Sequence, residues 1–155
     1  MDIVRKIRNF LILKLFNQLL LLEAFYTLGW ARVLKSLPFA KVAPSLGERM
    51  TETVYTQDPK QLEFLQQVSD SISVMSRHTW WESKCLVMAI AGMKMLERRK
   101  IESTLYMGMA RDDEGNMIAH AWLRSGSFYV SGSTGMERFT IVAKFAKRMD
   151  ELKVL

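Results

Sequence analysis

Cysteine is almost absent from this chain. Cys85 is the only one, which excludes an intramolecular disulfide framework. With it stand just two histidines, His78 and His120, too few to complete a Cys/His zinc site, so neither a metal nor any other cofactor is expected. Three prolines and eight glycines are too few for a linker-like or disordered chain. No apolar run reaches the roughly 18 uninterrupted residues of a spanning helix, because Lys14, Asn17, Gln18 and Glu23 cut the leucine-rich block near the start. There is no glycine-rich phosphate loop and no interleaved basic and aromatic stripe, so nucleotides and nucleic acids are not expected as ligands.

What remains is a chain of 155 residues, 49% hydrophobic and 25% charged, the size and composition of one ordered domain. Its net charge of +6 suits an anionic membrane surface or an acidic peptide as well as a nucleic acid, and chooses none by itself. Cysteine usage points to a cytoplasmic protein, or one held at a membrane surface. Residues 3–34 read as one helix, its apolar block preceded by Arg5, Lys6 and Arg8. No small-residue cleavage site follows, so the segment is expected to pack on the domain, dock a partner through Leu13, Phe16, Leu20 or Phe25, or lie on a membrane. Leu37-Pro38 ends it. Residues 38–56 read as an irregular connection. Asp58-Pro59 opens the next helix as N-cap and first residue, with an apolar face running to about Arg77.

Ser83 is the expected N-cap of a third helix, which places Cys85 in its first turn. Leu86, Ala89, Ile90, Met93 and Leu96 give that helix one apolar stripe, and Arg98, Arg99 and Lys100 a basic, solvated end. Then the period changes to two: 103–111 is a strand, Asp112 to Asn116 a hairpin loop, and 117–124 its partner, with Ile118, His120 and Trp122 on one face and Ala119, Ala121 and Leu123 on the other. Phe128-Tyr129-Val130 completes a meander. Residues 139–145 make a fourth strand and 146–154 a helix.

The chemistry on offer is narrow. A cysteine at a helix N-terminus sits where partial positive charge favours a thiolate, and its own backbone N–H is a natural oxyanion donor. A histidine on the hairpin could take the thiol proton and return it to a leaving amine. Composition alone favours the plainer alternatives: a small buried cysteine, a hydrogen-bonded sheet histidine, a solvent-facing His78, and core roles for Trp81 and Trp122, which otherwise are candidates to line a substrate site.

A resemblance favours the chemistry. Trp81-x-x-x-Cys85-Leu86-Val87-x-Ala89, Leu96-x-Arg98-Arg99-x-Ile101, Gly108 and Ala119-His120-Ala121-Trp122-Leu123 before a glycine turn are similar to the stand-alone leader peptidases of bacterial lasso-peptide biosynthesis, within the transglutaminase-like, papain-related cysteine proteases. Leu20-Leu21-Leu22-Glu23-Ala24, Leu37-Pro38-Phe39 and Leu46-Gly47 extend the likeness over nearly the whole chain. The resemblance implies an α+β fold with a papain-like core, in which a central cysteine-bearing helix packs on a small antiparallel sheet. Residues 1–155 then form a single domain, with 1–56 a helical subregion able to dock a partner and 57–155 the cysteine-protease core.

The same resemblance implies hydrolase activity on a precursor's leader peptide, Cys85 as nucleophile and His120 as general base, without a cofactor. The implied partners are the precursor, a small winged-helix leader-recognition protein and an ATP-dependent macrolactam cyclase. The family often carries an aspartate about twelve residues beyond the histidine. Here Ser131-Gly132-Ser133 occupies that place, and Asp112 and Asp113 lie about 20 Å off along the strand. The imidazole is then oriented by Ser131, by a backbone carbonyl or by a water, or it works without a third member. Two other readings follow: a non-catalytic peptide- or partner-binding module on this scaffold, and a peripheral membrane protein held by its N-terminal amphipathic helix.

Overall fold

The structure is a computed structural model and describes residues 2–149. The expected N-terminal helix is two: α1 (Asp2–Ile12) and α2 (Leu15–Lys35), with Lys14 extended between them at φ −57°, ψ 144°. Gln18 explains the break. Its Nε2 donates to the carbonyls of Phe10 (3.0 Å), Leu11 (3.2 Å) and Leu13 (2.9 Å), satisfying acceptors that a helix end leaves without an internal partner.

Along α2 the residues Leu20, Ala24, Thr27, Leu28 and Ala31 are buried at three- and four-residue spacing. Leu20, expected among the docking residues, is therefore core, and Phe25 packs on Trp80 and Trp81. The connection expected to be irregular contains a short helix α3 (Phe39–Val42), a 3₁₀ turn (Ala43–Leu46) and a two-residue strand β1 (Glu48–Arg49). Helix α4 (Pro59–Ser76) begins as expected, with the Asp58 carboxylate accepting from the Lys60 N–H at 2.9 Å.

Helix α5 (Cys85–Glu97) is the centre of the domain. It buries eight residues, Val87, Ala89 to Met93, Met95 and Leu96, well beyond one stripe, because α2 and α4 cover it on one side and a sheet on the other. At Gly92 an added Cβ would stand 2.8 Å from Leu123 Cδ2 and 3.1 Å from Ile72 Cδ1, so glycine lets helix and sheet close together here. The basic end is not merely solvated. Glu23 on α2 accepts from Arg98 Nη1 at 2.9 Å and from Arg99 Nη2 at 2.5 Å, tying the two helices. The chain then leaves α5 through Lys100 in the left-handed region (φ 56°), with the Ile101 N–H donating to the Leu96 carbonyl at 3.0 Å, a Schellman ending.

Five antiparallel strands follow the order β1-β5-β2-β3-β4, with β2 (Ser103–Arg111), β3 (Met117–Ser125), β4 (Phe128–Ser131) and β5 (Thr140–Lys147). The expected meander is β2-β3-β4, and the expected fourth strand adds at the other edge of β2. Ala146 and Lys147 belong to β5 and not to the expected C-terminal helix, while residues 150–154 of that helix lie outside the described residues. Leu105, Ala121, Leu123, Val130 and Phe145 face the helices. The opposite face carries Thr104, Tyr106, Trp122 and Arg124, all buried. Residues 53–55 lie over it: the Thr53 N–H donates to Thr104 Oγ1 at 2.9 Å, and Arg124 reaches the carbonyls of Thr53 (2.9 Å) and Val54 (3.1 Å).

Two outcomes test this packing. Lys100→Gly removes the steric cost of a left-handed side chain and is expected to stabilise by about 0.5–1 kcal/mol, a rise in Tm of roughly 1–4 °C; an unchanged or lower Tm refutes the assignment. Burial, with a hydrogen bond to Tyr55, holds the Tyr106 hydroxyl well above its ordinary 10.0, against the opposing pull of Arg124. The folded state thus keeps a proton that the unfolded state releases above about pH 10, so this contribution is intact below that pH and shrinks as pH climbs past it. The Tm advantage of wild type over Tyr106→Phe is expected to narrow between about pH 9 and 11; a gap constant with pH counts against it.

Candidate active site

Cys85 is the first residue of α5. The cap expected at Ser83 is not made: Lys84 occupies the N-cap position in an extended conformation with no side-chain bond, while Ser83 Oγ pairs with Thr79 Oγ1 at 2.8 Å. The first bond around the helix runs from the Met88 N–H to the Lys84 carbonyl at 2.9 Å. The N–H groups before it, that of Cys85 included, therefore carry no capping side chain and stay available to an incoming oxygen. The thiol is half-buried against the helical core. Trp81 sets the corner that leads into it, its ring 5.0 Å from Phe25 and 3.4 Å from a Cβ built on Gly29. Trp81 Nε1 is buried without a hydrogen-bond partner, and Trp80 is 84% exposed.

His120 stands on β3 opposite Gly108 of β2. Its ring lies between Trp122, at 5.8 Å between centroids, and Phe139, at 5.0 Å. Only glycine fits at 108, since a Cβ there would fall 2.8 Å from Phe139 and 3.0 Å from the Trp122 ring. His120 Nε2 meets the Gly132 carbonyl oxygen at 2.7 Å. A carbonyl only accepts, so Nε2 carries the proton and donates it. The neutral ring is thereby fixed in the tautomer whose Nδ1 lone pair is free to act as a base.

Of the alternatives open for orienting the imidazole, the structure supplies the backbone carbonyl. Ser131, the residue named for that role from the sequence, makes no hydrogen bond to the ring, its buried Oγ having no partner among the described residues. The reason is the turn that follows β4. Gly132 takes φ +74° with a notional Cβ only 2.3 Å from the Ala121 carbonyl, a conformation that carries its own carbonyl to the imidazole and leaves no room for a side chain there. The distance of twelve residues between His120 and Gly132 was visible in the sequence; Phe139 and its place against the ring carried no signal.

Helix and strand put the backbones of the two candidate residues at a similar height. The short link from α5 to β2 and the antiparallel β2-β3 pairing make α5 and β3 run the same way. Gly92 abuts Leu123; seven residues back along the helix and three back along the strand are each about 10 Å, and end at Cys85 and His120. His120 has the strand parity of Trp122, whereas Ala121 and Leu123 face α5, so the imidazole projects from the sheet face away from the helix and the structure does not bring it against Cys85 as the sequence reading expects. Among the described residues no hydrogen bond joins the thiol to the imidazole. His78 is exposed at the end of α4, its Nδ1 2.8 Å from the Val74 carbonyl. Trp122 is stacked on Tyr106 and buried, and so supports His120 from behind more than it lines an open site. No group of three or more His, Cys, Asp or Glu side chains able to hold a metal occurs among the described residues.

The comparison with known proteins covers both candidates. A family model of the transglutaminase-like superfamily matches residues 26–144, from the middle of α2 into β5. No curated protein and no solved structure matches the chain. A cysteine-headed central helix on an antiparallel sheet, and a match over most of its length, lead to one statement: this chain belongs to the transglutaminase-like superfamily.

Proposed function

We propose that the chain is a cysteine peptidase, with Cys85 as nucleophile and His120 as general base, that removes the leader from a ribosomally made lasso-peptide precursor. The observation that carries the chemical part is the His120 Nε2–Gly132 carbonyl bond, which presents Nδ1 as a proton acceptor. The leader assignment rests on the resemblance of the motifs around Cys85 and His120. A separate leader-recognition protein would hold the precursor, and a cyclase would consume the freed amine.

This mechanism requires β3 to turn the imidazole from the outer face of the sheet toward the sulfur when substrate binds, since the two lie on opposite faces in the structure. Nδ1 takes the thiol proton as Sγ adds to the scissile carbonyl carbon. The oxygen of the tetrahedral intermediate takes the Cys85 N–H at the open helix end. Collapse breaks the C–N bond, the imidazolium protonates the departing amine, and a thioester remains. Water, deprotonated by Nδ1, then adds to that carbonyl; the leader leaves as a carboxylic acid and the thiol regains its proton. A carbonyl in place of a carboxylate stabilises the imidazolium less, so turnover is expected to be slow.

No carboxylate among the described residues bonds the ring, which favours one second reading, a binding module on the same scaffold. A cleavage assay with precursor separates them: Cys85→Ala and His120→Ala are each expected to lower the rate at least about a thousandfold with Tm near wild type. Full cleavage by either variant, or a wild type that binds precursor and never cuts it, ends the peptidase proposal. Gly132→Ala is expected to cost both Tm and at least about tenfold in rate, since it moves the carbonyl that holds the ring. An unaltered rate would show that this bond plays no part.

A further inference from the structure

Helix α1 buries none of its residues. Ile3, Val4, Ile7, Phe10 and Leu11 recur at helical spacing and form one apolar arc with Lys6 and Arg8 on its two edges at about 100° per residue; Ile7 and Phe10 line a groove with Leu21, Val74 and Met75, and Ile3, Val4 and Leu11 stay on the open side. Eleven residues make a marginal helix in water unless a surface takes up the apolar face. A second stripe follows on α2. Leu15, Leu19, Leu22, Tyr26, Trp30 and Val33 sit at three- and four-residue spacing on the side away from the core, between 40% and 79% exposed, with no charged residue among them. It runs about 27 Å. Gln18 fastens the two helices together at their junction.

From this placement we propose that α1 and the outer face of α2 lie in the headgroup region of an anionic lipid surface. The charges choose the occupant. Arg5, Lys6, Arg8 and Lys14 accompany the stripes, and Asp2, 3.5 Å from Arg5, is the single acid of α1. A second copy of a chain with net charge +6 would oppose those cations, whereas anionic headgroups neutralise them where the apolar arc meets the acyl chains. Tyr26 and Trp30, toward the far end of the stripe, are the residue types that settle at that depth. The element lies on the bilayer and does not cross it: no described helix is long and apolar enough to span.

Flotation of the full chain with phosphatidylcholine vesicles, with and without phosphatidylglycerol, tests this. Binding is expected only with the anionic lipid, and should weaken as salt rises. Each basic residue near such a surface contributes roughly a fivefold factor, so Arg5→Gln, Lys6→Gln and Arg8→Gln together should lower partition by about a hundredfold. Leu19→Ser with Leu22→Ser, both exposed in the fold, should abolish it at unchanged Tm. A chain that stays behind at low salt, binds neutral vesicles equally well, or floats whichever variant is used overturns the proposal. A dimer on sizing without lipid binding would assign the stripes to a second copy instead. Precursor cleavage in lipid-free buffer, left intact in these variants, keeps this result separate from the fate of the peptidase reading.

Discussion

Arg124 is a fully buried cation that makes no ion pair with a carboxylate among the described residues. Its burial is tolerable only because each of its five N–H donors finds an acceptor: Nε donates to Tyr106 Oη at 3.0 Å, Nη1 to the carbonyls of Val54 and Gly126, and Nη2 to the carbonyl of Thr53 and, at 3.4 Å, to Thr104 Oγ1. Those acceptors come from three parts of the chain. The guanidinium thus joins the segment before α4, strand β2 and the turn after β3, and it lies 3.7 Å over the Tyr55 ring. Lysine, with three donors and no plane, could not satisfy the same set.

From that point the order passes along the outer face of the sheet. Tyr106, held by Arg124, stacks on Trp122 at 5.5 Å with only 11° between the rings, and Trp122 stacks in turn on His120. Phe139 closes the other side of the imidazole, and Gly108 leaves the gap they need. The His120 ring is therefore positioned by packing along a column of aromatics and by one backbone carbonyl. That arrangement fixes its plane and tautomer without adding a negative charge. It can guide proton transfer but does little to stabilise the imidazolium once formed.

Much of this was legible. The two-residue period located β2 and β3, Asp58-Pro59 located the start of α4, and the motifs around Cys85 and His120 located the helix and strand of the site. Three features were not, each for a physical reason. The break at Leu13-Lys14 depends on a Gln18 side chain folding back on three carbonyls, and a composition of good helix formers hides that. The solvated appearance of Arg98 and Arg99 ignores Glu23, which is distant in sequence and opposite them only after α2 packs on α5. The carbonyl on His120 is invisible because backbone acceptors carry no side-chain signature; only the glycine that aims it does.

Helix α2 has to satisfy two surfaces at once. Its inner face fixes α5 at both ends, through Glu23 on Arg98 and Arg99 at one end, and through Phe25 and Gly29 on Trp81 with Lys35 on Glu82 at the other. That grip sets where Cys85 stands relative to the sheet. Its outer face carries the uncovered leucines and aromatics. Helix α2 thus braces α5 through its inner face alone, while the sheet column holding His120 is anchored independently through Arg124. Sulfur and imidazole are thus carried by two separately braced bodies. The sheet stands between them: Cys85 heads the helix on one face, and the His120 ring packs in the aromatic column on the other.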